Sequence, residues 1–152
     1  AIHPVITMEM PQYRWLENYG QLNAIGTSNA PIRFAGTTPN AGWWYYLKTM
    51  DPGRMALEWC EVVHAGYSSG YAVRRDGSGS LTVRNCRIHD NSGTGLWLSP
   101  GGALTTEHNS YSNQTYAIRV DPGASILNDT YDFSNNTYDV YANSGTIAQP
   151  VT

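Results

Sequence analysis

The side chains best suited to move a proton near neutral pH are three histidines and one carboxylate, His64, His89, His108 and Asp90. The first two histidines are 25 residues apart, so they meet only if the chain returns to the same place at about that interval. His64, His89 and Asp90 are the candidate catalytic groups, as a general acid–base set at one bend, with His108 expected at the same bend. Metal chemistry has less behind it. No His-x-x-x-His spacing occurs, and the two cysteines, Cys60 and Cys86, form no ligand motif. No transition metal and no cofactor is expected, although calcium stays open, because turn oxygens can gather around it without a sequence signature. A nucleophile is not signalled either. There is no Gly-x-Ser-x-Gly elbow, and Gly77-Ser78-Gly79 lacks the lysine of a phosphate loop.

Aromatic residues offer a second kind of chemistry. Trp43-Trp44-Tyr45-Tyr46 is a cluster, and Trp59 and Trp97 are expected in outward slots on strands. Trp44, Trp59 and Trp97 are the candidate binding residues, since an outward indole either stacks on a sugar face or covers an apolar surface patch. Tyr45, Tyr71, Tyr116 and Tyr138 are expected in a core column with Leu22 and Leu96. The carboxylates fall in two outward columns, Glu58–Arg84–Glu107–Asp129 and Glu61–Arg87–Ser110–Asp132, whose alternating signs fit the cross-strand pairing of a solvated sheet.

The elements that place these groups are set by a repeat of turns. Thr27-Ser28-Asn29, Asp51-Pro52-Gly53, Asp76-Gly77-Ser78-Gly79, Ser99-Pro100-Gly101-Gly102, Asp121-Pro122-Gly123 and Asn143-Ser144-Gly145 recur every 22 to 25 residues. Between them lie apolar-x-apolar pairs in three sets. One precedes each corner (Leu22/Ala24, Tyr45/Leu47, Tyr71/Val73, Leu96/Leu98, Tyr116/Ile118, Tyr138/Val140). One follows it (Ile32/Phe34, Met55/Leu57, Leu81/Val83, Leu104/Thr106), and the third holds Cys60/Val62, Cys86/Ile88, Asn109/Tyr111 and Tyr131/Phe133. Alternation along a strand turns each pair inward. Three short strands per period, with no helical periodicity, predict an all-β right-handed parallel β-helix of about six coils with three parallel sheets. Val62, Ile88, Tyr111 and Phe133 should form one inward column, and Val73, Leu98, Ile118 and Val140 another. Asn91, Asn113 and Asn135, each 22 residues from the next, should form an inward amide ladder. That would leave Asn128 as the accessible member of three Asn-x-Thr glycosylation patterns at 113, 128 and 135. The whole chain, 1–152, reads as one domain: an irregular or partial first coil over 1–19, regular coils over 20–146 and a tail over 147–152.

Several stretches resemble the right-handed parallel β-helix repeat proteins of bacterial surfaces and secretions: Gly20-Gln21-Leu22-Asn23-Ala24-Ile25-Gly26-Thr27, Pro31-Ile32-Arg33-Phe34, Asn85-Cys86-Arg87-Ile88-His89-Asp90-Asn91 and Thr94-Gly95-Leu96-Trp97-Leu98. The resemblance covers roughly residues 20–146 and implies a fold more than an activity, since that group contains lyases, epimerases, glycosidases and adhesins. Charged residues make up only 14% of the chain and the net charge is −3, with no basic cluster beyond Arg74-Arg75. This argues against nucleic acid as a partner, and no run is long enough for membrane insertion. A secreted or cell-surface location fits the low charge. The expected role is a structural or presentation module, with a sheet face for a polysaccharide or cell-surface protein, or with copies stacking end to end for lack of a capping helix. The alternative is a polysaccharide-active enzyme of lyase, epimerase or glycosidase type, or a fragment of one.

Overall fold

The apolar-x-apolar pairs become short strands that stack coil on coil in the computed structural model, which describes residues 5–68, 70–126, 131–143 and 146–147. The first sheet contains β1 (Ile6–Met10), β4 (Ile32–Gly36), β7 (Cys60–Val63), β10 (Arg87–His89), β13 (Ser110–Ser112) and β16 (Asp132–Ser134). The second contains β2 (Leu16–Asn18), β5 (Leu47–Thr49), β8 (Tyr71–Arg75), β11 (Thr94–Leu98), β14 (Tyr116–Val120) and β17 (Tyr138–Ala142). The third contains β3 (Gln21–Ile25), β6 (Arg54–Glu58), β9 (Ser80–Arg84) and β12 (Leu104–Glu107), while β15 (Ser125–Ile126) pairs with β18 (Thr146–Ile147). Neighbouring strands in these sheets are parallel, each three strands from its partner in sequence, so the chain makes five full turns and part of a sixth. No helix occurs among the described residues.

The first expected column is present: Phe34, Val62, Ile88, Tyr111 and Phe133 are in register. Val62, Ile88 and Tyr111 are fully buried, and each aliphatic member contributes about 1.5–3 kcal/mol of burial. In the second column Leu96, not Leu98, stands between Val73 and Ile118. Leu98 aligns with Arg75 and Val120. The inward slot beneath it is filled by an arginine, whose guanidinium donates to the carbonyls of Gly102 (3.1 Å) and Ser99 (2.5 Å) at the corner. A buried cation in an inward position is opaque to a pattern that looks for apolar pairs.

The same two-residue shift moves the tyrosines. Tyr71, Tyr116 and Tyr138 align with Thr94 rather than Leu96, at the start of their strands; Tyr71 is buried there, Tyr116 half-buried and Tyr138 exposed. The first coil is displaced by one sheet. Leu22/Ala24 pairs with Met55/Leu57 in the third sheet, and Ile32/Phe34 with Cys60/Val62 in the first. Thr27-Ser28-Asn29 is a protruding turn closed by reciprocal backbone bonds between Thr27 and Ala30, so it is not equivalent to the corners between the second and third sheets. Those corners stack on one another. A Cβ on Gly102, at φ +53°, would collide with the carbonyl oxygen of Gly79, which is why glycine ends that corner.

Amide and thiol rungs close the bends. Asn91, Gln114 and Asn136 donate to the carbonyls of Val62 (3.1 Å), Ile88 (3.1 Å) and Tyr111 (2.9 Å), each one coil back. The inward ladder is therefore Asn91–Gln114–Asn136, one residue later than expected at its second and third rungs. Asn113 and Asn135 share left-handed backbone (φ +56° and +55°) with His64 and Asp90, and their side chains are exposed. Asn128 lies outside the described residues, as does Asp129. In the neighbouring bend Cys60, Cys86 and Asn109 donate to Ala24, Leu57 and Val83 at 3.3, 3.3 and 2.8 Å. The two free cysteines thus make the same bond as an asparagine one coil further on, and the bond to Cys86 together with burial pushes the Cys60 thiol far up.

Candidate functional site

The first sheet's outer face gathers charge. Parallel register places Arg33, Glu61, Arg87 and Ser110 in one row, and His89 reaches back from the next. Its Nε2 donates to Glu61 Oε1 at 2.8 Å and its Nδ1 to Asp90 Oδ2 at 2.7 Å. Arg33 also pairs with Glu61, Arg87 approaches it at 3.9 Å, and Asn113 donates to Asp90 Oδ1 at 2.8 Å. The bond from His89 holds the Glu61 carboxyl down at about 2, against the opposing cost of burial. Glu61 in turn raises His89, so the imidazole keeps both protons above the usual histidine range. His64, on the adjacent rung, is lowered chiefly by burial, and its Nδ1 is buried without a hydrogen-bond partner. His89 and Asp90 are thus in direct contact, with Glu61 as a third member the sequence assigned only to a surface column. His108 is elsewhere, at φ +52° in the bend that also holds Trp59 and Asn85 at φ +51°.

The three candidate tryptophans have three different fates. Trp44 is fully buried, with Nε1 donating to Val63 O at 2.8 Å, so it is a core residue and not a binding one. It precedes β5 by three residues in the bend between the first and second sheets, where strand alternation does not apply. Trp59 is exposed and lines a groove of about 460 Å³ with Val5, Pro31, Asn85, Arg87 and His108. Left-handed backbone is unusual for so bulky a side chain. Trp97 points outward, but its ring is covered: Arg74 lies 4.2 Å and Arg119 4.0 Å from the ring centroid, and Nε1 donates to Asp121 at 2.7 Å.

Trp97 is the middle of a larger arrangement. From its first coil to its last, the second sheet's outer side and leading bend carry a belt made of two runs of touching rings joined through Arg119. Tyr13 meets Tyr67 (4.7 Å between centroids), Tyr67 meets Tyr45 (5.4 Å), and Trp15 also meets Tyr45 (5.6 Å). Tyr45 leads through Tyr46 to Tyr71 (6.1 and 4.9 Å), and Tyr71 to Trp97 (5.5 Å). Beyond Arg119 follow Tyr141 (5.9 Å from that guanidinium), Tyr116 (5.1 Å from Tyr141) and Tyr138 (5.3 Å from Tyr116, nearly parallel). The ends of the belt are open: Trp15 is 53% and Tyr138 52% exposed, and Tyr13, Tyr67 and Tyr141 are exposed as well. Of the expected Tyr45, Tyr71, Tyr116 and Tyr138 column, Tyr71 is buried, Tyr45 and Tyr116 are half-buried and Tyr138 is exposed. Arg74, Trp97, Arg119 and Tyr141 are successive outward residues of one row, a signal present in the sequence but hidden by the misplaced register. Tyr13, Trp15 and Tyr67 lie in bends, where no strand pattern points to them.

Chemically, the two faces offer different things. The first has two carboxylates held ionised and a histidine whose two nitrogens are both committed. The second has aromatic faces, phenolic hydroxyls and paired charges, the ordinary equipment for holding sugars. Among the described residues no group of three or more His, Cys, Asp or Glu side chains is arranged to hold a metal ion. A family model described as right handed beta helix region matches residues 44–148. Comparison with curated proteins and with solved structures gives no match.

Proposed function

The chain belongs to the right-handed β-helix family, and from that premise we propose that it is a secreted or cell-surface presentation module that binds carbohydrate on the outer side of its second sheet without cleaving it. The observation that carries this reading is the belt of rings, open at Tyr13, Trp15 and Tyr67 and again at Tyr138 and Tyr141. Large exposed aromatic surface is costly to leave in water and is normally covered by a partner. The low content of charged residues, 14%, supports the extracellular setting.

Cleavage is the weaker reading. A glycosidase needs one carboxyl kept protonated and one ionised, whereas both Glu61 and Asp90 are lowered, Glu61 mainly through His89. Native gels cast with individual polysaccharides test the proposal. Retardation by at least one of them, with no reducing or unsaturated ends released on prolonged incubation, is the expected result. Release of such ends, abolished in His89→Gln, would establish the enzyme instead.

Association of copies end to end is a second reading with its own observation. Ile6 and Met8 occupy inward columns above Ile32 and Phe34, yet they are 62% and 43% exposed, because nothing among the described residues stacks on β1. A second copy would cover them. Sedimentation velocity over a wide concentration range should show reversible growth, lost in Met8→Lys, and a concentration-independent monomer would dismiss the idea.

A further inference from the structure

We infer that the ligand of the second-sheet belt is an uncharged, extended polysaccharide chain lying along the solenoid axis, across the strands, and touching both open ring clusters at once. The inference rests on the binding reading above and adds its ligand class, orientation and minimum length.

Orientation follows from which residues touch. Tyr46 with Tyr71, Tyr71 with Trp97, and Tyr116 with Tyr138 are all contacts between successive coils. The belt therefore climbs the stack instead of following any one strand. Length follows from the stack. The second sheet has six strands, and at ~4.8 Å per step the distance from its first to its last is about 24 Å. Trp15 immediately precedes the first strand, and Tyr138 opens the last. Between them the rings are closed to stacking, because Arg74 and Arg119 cover the two sides of Trp97 and Tyr71 is 6% exposed. A single sugar can thus occupy one open cluster but never both, whereas an extended chain of several units reaches both and gains the effective-concentration advantage of two linked contacts.

The charge balance of the face selects a neutral chain. Lys48 pairs with Asp76 at 2.9 Å, Arg74 with Asp76 at 2.8 Å and Arg119 with Asp121 at 3.5 Å. Glu17 accepts from Tyr46 Oη at 2.8 Å and Tyr19 Oη at 3.3 Å. Three cations, Lys48, Arg74 and Arg119, thus stand against three carboxylates, Glu17, Asp76 and Asp121. A polyanion would find no surplus positive charge and would have to compete with the carboxylates already bound to those cations. A neutral polyol chain needs only ring faces and the hydroxyls of the tyrosines.

The test is titration calorimetry with a length series of neutral gluco- and manno-oligosaccharides and a matched series of polyuronate oligosaccharides. Affinity for the neutral series should rise by about a hundredfold once the chain is long enough to bridge the clusters, and the polyuronates should bind no tighter than short neutral chains. Trp15→Ala and Tyr138→Ala, both at exposed positions, should each return the long chain to the affinity of a short one, with circular dichroism and melting temperature unchanged. Trp59→Ala, on the other side of the solenoid, should bind like the parent. Affinity that does not depend on length, or that favours the polyuronates, overturns the extended neutral ligand while leaving carbohydrate binding in place. No binding to any glycan of either series overturns both.

Discussion

The first and second sheets run the same number of strands in the same parallel register, yet their outer faces solve the problem of facing water in opposite ways. On the first, rows of Arg33, Glu61, Arg87 and His89 knit adjacent coils by ion pairs and shared protons. On the second, rings stack coil to coil, and the cations lie over ring faces as well as beside carboxylates. Parallel β-stacking explains both, since it repeats every outward position at ~4.8 Å, a spacing that suits either a chain of hydrogen-bonded charges or a stack of aromatic planes. The difference is what each leaves over. Charges that pair with their neighbours are consumed by pairing, whereas a ring stack always ends in a free face. The belt therefore has something to offer a ligand at both ends, and the charged face, satisfied internally, contributes to the fold.

The comparison can be broken at several levels. The largest effect should come from the interior that both faces share: Ile88→Ala should cost about 2–5 kcal/mol in denaturant melts, and a smaller loss than at any surface position would contradict the assigned alternation. Next is the ring face. Trp97→Ala removes the plane between two guanidiniums and should cost about 1–3 kcal/mol, with little change between low and high salt. A loss that vanishes in salt would place Trp97 in the same class as the charged face. Arg87→Ala should cost less than about 1 kcal/mol, its guanidinium being exposed and 3.9 Å from Glu61.

The charged face should reveal itself by pH. His89 is raised above its ordinary 6.5 by Glu61, so the stability it adds is complete below pH 6.5 and disappears as pH climbs through its folded value. Glu61 is lowered from 4.5 to about 2, so its share is complete above pH 4.5 and disappears as pH falls through about 2. Asp90, lowered with His89 and Asn113 as its favourable partners, acts in the same sense as Glu61. His64, lowered by burial, opposes His89, its contribution fading as pH drops below 6.5. The difference in melting temperature between parent and His89→Gln isolates the His89 part. It should be greatest between about pH 4.5 and 6.5 and shrink on either side. A difference that grows toward alkaline pH would mean that the imidazole is neutral in the folded state.

Much of this was legible from residue types. Four of the turn motifs, from Asp51-Pro52-Gly53 to Asp121-Pro122-Gly123, marked successive corners, and Val62, Ile88, Tyr111 and Phe133 were placed in their column because alternation within a strand is local and every member is apolar. The ion-pair rows of Glu58 with Arg84 and of Glu61 with Arg87 were read for the same reason. Register failed where an inward slot holds a polar residue. Arg75 beneath Leu98 shifted the second sheet by two residues, and that shift put Tyr116 and Tyr138 in the core and hid the row Arg74–Trp97–Arg119–Tyr141. Bends escaped the reading altogether. Trp44 is buried, while Tyr13, Trp15 and Tyr67 are exposed, and no periodicity distinguishes them, since a bend has no alternating faces.

By itself, then, the sequence determined that the chain winds as a parallel solenoid with short strands, glycine-bearing corners and a continuous apolar core. Those features depend on a residue's own preferences and on neighbours one or two positions away. Tertiary structure alone decided which residues became a surface with something to bind. That outcome depends on which positions from coils 21 to 33 residues apart come to lie in contact. A displacement of two residues, invisible to local preference, exchanges a buried ring for an exposed one.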